Sequence, residues 1–145
     1  MGLLDQIRTA GYVDDGSPPL VVPGKVTTLA AAADRVLEGV DRLHAARDFL
    51  DIAARRSDVE LAALVADEPR AVDARSDALL AGIAEHLMAS RGLAAPRWCE
   101  GAGRFLDTFW FVSENPAFRA IALASSPIAM KRRGVIWAAR SMVRV

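Results

Sequence analysis

From Arg104 to Val135 the chain carries the feature that most limits its folding options. It reads Arg-Phe-Leu-Asp-Thr-Phe-Trp-Phe-Val-Ser-Glu-Asn-Pro, then Ala-Phe-Arg-Ala-Ile-Ala-Leu-Ala, then Ser-Ser-Pro-Ile-Ala-Met-Lys-Arg-Arg-Gly-Val. Four of the nine aromatic residues in this 145-residue chain fall between Phe105 and Phe111. Two proline-initiated segments follow, and the second ends in Lys131-Arg132-Arg133-Gly134. Rings of this size must be covered, so the residues upstream have to supply something to pack on. Their pattern is helical.

Thr27 or Thr28 can cap a first helix, with apolar positions at Leu29, Ala33, Val36, Leu37, Val40, Leu43, Ala46, Leu50 and Ala53. Gly39 interrupts this stripe and predicts a bend or break. Ser57 and Glu60 have capping-box spacing before an apolar run, and Asp67-Glu68-Pro69 closes that helix. Asp73 or Ser76 starts the next, with Leu79, Leu80, Ile83, Ala84, Leu87 and Met88 inward and Gly92 just past its end. The i,i+4 pairs Phe105/Phe109 and Leu106/Trp110 predict another short helix. Asn115-Pro116 reads as N-cap and first helical residue, and Ser126-Pro127 repeats the device. Gly134 sits where a C-terminal glycine belongs, and Val135-Ile136-Trp137 reads as extended.

Before residue 27 turn formers dominate. A short helix over Leu3–Ala10 stops at Gly11, and Leu20-Val21-Val22 reads as a short strand or extended contact. The expectation is an all-α fold. It has an irregular arm over 1–26 and one helical domain over 27–145, built from five to seven helices with one short C-terminal strand. The 28 alanines favour helices in close approach. No apolar run reaches the roughly 20 residues that span a bilayer, and Asp5 with no cationic head argues against a signal peptide. The lone Cys99 cannot form an internal disulfide, which points to a reduced, cytoplasmic setting.

Formal charge sums to zero but is not evenly spread. All 18 acids and 12 of the 18 cations lie in residues 1–115, leaving 12 − 18 = −6. Residues 116–145 hold Arg119, Lys131, Arg132, Arg133, Arg140 and Arg144 and no acid, hence +6. Such a chain either pairs its own ends or offers a basic face to an acidic partner.

No catalytic constellation is readable, so the chain is read as a non-enzyme. His44 and His86 lack metal-ligand spacing, and no metal or cofactor is expected. Cys99 reads as a small buried hydrophobe. Gly24-Lys25-Val26-Thr27 fails as a phosphate loop, because Pro19 stands where the first glycine belongs. Arg104 and Asp107 read as a local ion pair. A sequence pI near 6.7 weighs against nucleic-acid binding through the basic C-terminal segment, which stays a second alternative.

Trp98, the run Arg104–Ser113, Pro116-Ala117-Phe118-Arg119-Ala120, Ser126-Pro127-Ile128-Ala129 and Arg132-Arg133-Gly134-Val135 together bring a family to view. Over residues 75–145 the chain resembles the C-terminal region of actinobacterial helix-turn-helix regulators that act as antitoxins beside nucleotidyltransferase-type toxins. The resemblance implies a regulatory protein that neutralises a cognate toxin by binding it. Residues 1–74 carry no recognisable helix-turn-helix, so DNA binding does not transfer. The expected partner-binding residues are Arg104, Trp110, Arg119, Lys131, Arg132, Arg133 and Arg140, the cations competing for an acidic cleft. A ligand-sensing or dimerisation module of a transcription regulator, forming a homodimer, is the first alternative. A pocket under Trp98 and Trp110 would favour it.

Overall fold

The structure is a computed structural model, and it describes residues 28–142. The expected arm over 1–26, with its helix and its extended stretch, lies outside the described residues, as does Arg144. Within them the chain forms α1 (Leu29–Leu37), α2 (Arg42–Ala53), α3 (Asp58–Val65), α4 (Ala74–Ala89), β1 (Trp110–Phe111), α5 (Arg119–Ser125), α6 (Ile128–Lys131) and β2 (Val135–Ile136). Short 3-10 turns cover Arg97–Glu100, Ala102–Arg104, Pro116–Phe118 and Ala139–Ser141. The mainly helical fold expected from the sequence is the fold observed.

The helix starts are chemical. The Thr28 hydroxyl accepts from the Ala31 N–H at 3.0 Å, and Asp41 accepts from Leu43 and His44. The capping box forms in both directions: the Ser57 N–H donates to Glu60 and the Glu60 N–H to Ser57. Asp73 caps α4 through the Ser76 N–H at 2.8 Å. Each cap satisfies a backbone donor that a helix cannot pair internally, a contribution of about 1 kcal/mol. Gly39 breaks the first stripe as expected. It takes φ +107, α1 ends before it and α2 starts after it.

The fold is organised around α4. It packs against α1, α2, α3, α6, β2 and two of the 3-10 turns. Accordingly Ala78 to Ala84 are buried without interruption, as in a helix covered on all sides. Gly82 sets the approach of α6: a Cβ there would come within 2.5 Å of the Met130 sulfur. From α1, α2 and α3, Leu29, Phe49, Leu61 and Val65 complete the same core, all fully buried.

The helix expected over Phe105–Trp110 does not form. Phe105 is extended and residues 107–109 loop out before β1, because β2 and the residues before it supply hydrogen-bond acceptors. Leu106, Trp110 and Val112 donate to the carbonyls of Arg133, Gly134 and Ile136 at 2.9, 2.7 and 3.0 Å. β1 and β2 are parallel, with Trp110 beside Val135 and Phe111 beside Ile136. A parallel pair needs a long crossover. Here residues 112–134 provide it, carrying α5 and α6. Gly134 makes the close approach possible: at φ +84 a Cβ would sit 3.0 Å from the Leu106 Cβ and 3.2 Å from the Thr108 carbonyl oxygen. The repeated cap-plus-proline device works once. Asn115 accepts from the Ala117 N–H at 3.0 Å, whereas the Ser126 hydroxyl turns back and donates to the Ala122 carbonyl at 2.6 Å.

Candidate partner-binding face

The structure separates the seven expected binding residues into an inward pair, an outward set of three, and Arg132 and Trp110 between them. Arg104 and Arg133 face inward. Arg133 is fully buried and is the largest such side chain in the molecule's described part. Its Nη1 donates to the carbonyls of Cys99 and Arg104, at 2.6 and 3.2 Å, and its Nη2 to Glu85 at 2.6 Å. Its guanidinium also lies 4.5 Å from the Phe105 ring centre. Glu85 is brought there by α4, 48 residues away in sequence.

Arg104 is 5 % exposed. It donates to the Pro69 carbonyl at 2.8 Å and to Glu68 at 3.2 Å, approaches Asp77 at 3.8 Å, and stacks on Trp98. The expected local pair with Asp107 is therefore corrected. Acids from the α3–α4 connection and from α4 take that place, because the 3-10 turn points Arg104 into the core. Neither Arg104 nor Arg133 can reach an acidic cleft on another molecule without unfolding this one.

Arg132 is the intermediate case. It is exposed, yet it donates to both oxygens of Glu85 at 3.1 Å and to Glu100. Burial pushes the Glu85 carboxyl up, but the guanidinium groups of Arg133 and Arg132 outweigh that and hold it below its ordinary range. Two of the three consecutive cations are thus neutralised by the chain's own acids.

Trp110 is half-buried beneath two guanidinium groups, those of Arg42 and Arg75, at 5.4 and 5.3 Å. Trp98 is tied by its indole N–H to the Val65 carbonyl at 2.9 Å. Neither indole lines the groove between α2 and α5.

The outward set is Arg119, Lys131 and Arg140. Lys131 donates to the Leu123 carbonyl near the end of α5 at 3.2 Å, a placement that suits the helix dipole. Arg119 lies over the Phe111 ring at 5.0 Å. Arg119 and Arg140 are exposed, and no carboxylate pairs with them among the described residues. They flank a stretch that the body barely covers. Residues 113–121 are all exposed, and α5 buries only Ala122. Phe118, Ile121 and Leu123 are 47, 46 and 42 % exposed, and Ile128 on α6 is 77 % exposed.

Between this excursion and α2 runs a groove of about 370 Å3. Leu43 and Arg47 contribute to it from α2, Phe118 and Ile121 from the excursion. The buried Ile136 and Trp137 lie at its base, and Arg140 borders it. Its charged lining residues are Arg47 and Arg140, and no carboxylate lines it among the described residues. Sequence reasoning missed Arg47. Its guanidinium sits 5.4 Å from the Trp137 ring centre and donates to the Ser141 carbonyl at 3.3 Å, contacts about 90 residues away that no local pattern signals.

None of Cys99, His86, Asp107 or Glu114 lines the groove. Burial pushes the Cys99 thiol up to about 11, and burial pushes His86 down. Asp107 and Glu114 are exposed on separate loops. Among the described residues no group of three or more His, Cys, Asp or Glu could hold a metal ion, and no helix is long and apolar enough to cross a membrane. Comparison with protein families, curated proteins and solved structures returned no match to this chain.

Proposed function

We propose that the chain is a partner-binding regulatory protein, of the antitoxin-like kind that the resemblance implies, acting without catalysis. One observation carries the reading. The chain spends an entire excursion, from Val112 to Ser126, holding Phe118, Ile121 and Leu123 at the surface beside two arginines without carboxylate partners among the described residues. A helix that buried only Ala122 would contribute little to its own fold. Phe118 and Ile121 line one groove, and exposed apolar side chains rimmed by charge mark surfaces that other proteins cover. Aromatic and arginine anchors are the residues that carry binding energy there. The binding face is therefore Arg47, Phe118, Arg119, Ile121 and Arg140. Arg104, Arg132 and Arg133 serve the fold.

Co-expression with the products of the genes flanking its own tests this. One of them is expected to co-purify with the chain in a complex weakened by salt and lost on Ile121→Asp. A chain that purifies alone from every such pairing contradicts the reading.

A further inference from the structure

Resting on that reading, we propose that the groove between α2 and the α5 excursion receives a helix of the partner whose apolar side is flanked by carboxylates. Charge complementarity chooses the occupant. Arg47 and Arg140 line an otherwise apolar groove, and no acid lines it among the described residues. An uncharged occupant would strip water from two guanidinium groups and return nothing, and a basic one would be repelled. Carboxylates at the edges of an apolar helix would meet both arginines while its apolar side chains reach Phe118 and Ile121.

The form of the occupant follows from the walls. The groove's sides come from α2 and from the start of α5, and a third helix packs its ridges into such a trough with anchors at i, i+3 or i+4, and i+7. On its β1 side the strand at the base is already paired, the Ile136 carbonyl accepting from Val112 at 3.0 Å.

Two other occupants fit worse. A second copy docked through the same face would set Arg47 and Arg140 against their own equivalents. Single-stranded nucleic acid needs open ring faces for its bases. Of the two rings lining the groove, Trp137 is 2 % exposed with Arg47 stacked on it, which leaves Phe118 alone to stack a base.

The test uses the full chain and two fluorescent peptides of about 18 residues, five helical turns. They share one Leu/Ile face, flanked by Glu in one and by Lys in the other. Anisotropy titrations at low salt are expected to show the Glu peptide binding at least about tenfold tighter, with the ratio shrinking as salt rises. Arg140→Glu brings the ratio towards one. Ile121→Asp abolishes binding of both peptides. Both side chains are exposed, and circular dichroism checks that the variants fold. Equal affinities, a preference for Lys, or indifference to Ile121→Asp overturns the proposal, as does Ile121-dependent self-association without peptide binding. A flanking-gene product that binds through Ile121 while neither peptide does removes the acidic helix and leaves protein binding standing. No binding by either kind of probe removes both.

Discussion

Arg133 and Arg140 belong to the same acid-free end of the chain, yet they live in different molecules, chemically speaking. Arg133 is fully buried under α4, its guanidinium divided between Glu85 and two backbone carbonyls. Arg140 stands exposed at the border of an apolar groove. The difference lies in what the fold brings opposite each side chain. Around α4 the neighbours of a cation are carboxylates from distant helices, so charge becomes structure. Around α5 the neighbours are Phe118, Ile121 and Trp137, so the charge is left without a carboxylate among the described residues. A net charge of +6 read from residues 116–145 is in this sense two populations.

The comparison breaks first if Arg133 is dispensable. Arg133→Ala removes the buried partner of Glu85 and strands two carbonyls. It is expected to cost about 3–5 kcal/mol in a denaturant melt, whereas Arg140→Ala stays within about 0.5 kcal/mol of the parent. Next in size is Gly134→Ala. The positive φ and the crowding against Leu106 and Thr108 should cost about 1–3 kcal/mol and loosen the β1–β2 pair. Asp73→Ala, which deletes the α4 cap, should cost about 1 kcal/mol by the same measurement.

Acid sharpens the contrast further. The folded Glu85 carboxyl is held low, so its contribution is present above the ordinary carboxylate range and lost as pH falls through the folded value. His86, depressed by burial, acts with the same sign at higher pH: its contribution is present above the ordinary His range and fades as pH falls below it. Melting temperature should therefore fall on acidification. Glu85→Gln should flatten the lower part of that curve and Arg140→Ala should leave it unchanged. The smallest expected effect is that of Ile121→Ser on stability, within about 0.5 kcal/mol, because α5 holds that side chain half outside the fold.

Much of the body was legible from local chemistry. Ser57, Asp73, Asn115 and Gly39 each act within a few residues of where they stand, and each does what its residue type demands. The aromatic block was misread because i,i+4 spacing is also satisfied by chance in a ring-rich run. Phe109-Trp110-Phe111-Val112 carries the aromatic and β-branched residues of a strand. What decided between the two was the partner strand, which lies beyond a crossover. The candidate site was legible only in part for the same reason. Arg119 and Arg140 could be found as cations, but nothing near Arg132 or Arg133 in sequence announces Glu85, and nothing near Arg47 announces Trp137.

Arg133→Ala and Arg140→Ala, each measured both for unfolding free energy and for affinity towards the acid-flanked peptide, put the division of the cations to its most direct trial. Arg133→Ala should lower stability by about 3–5 kcal/mol, and Arg140→Ala should weaken peptide binding with stability unchanged. Equal losses of stability in the two variants, or a stable Arg133→Ala protein that has lost binding instead, would contradict the account.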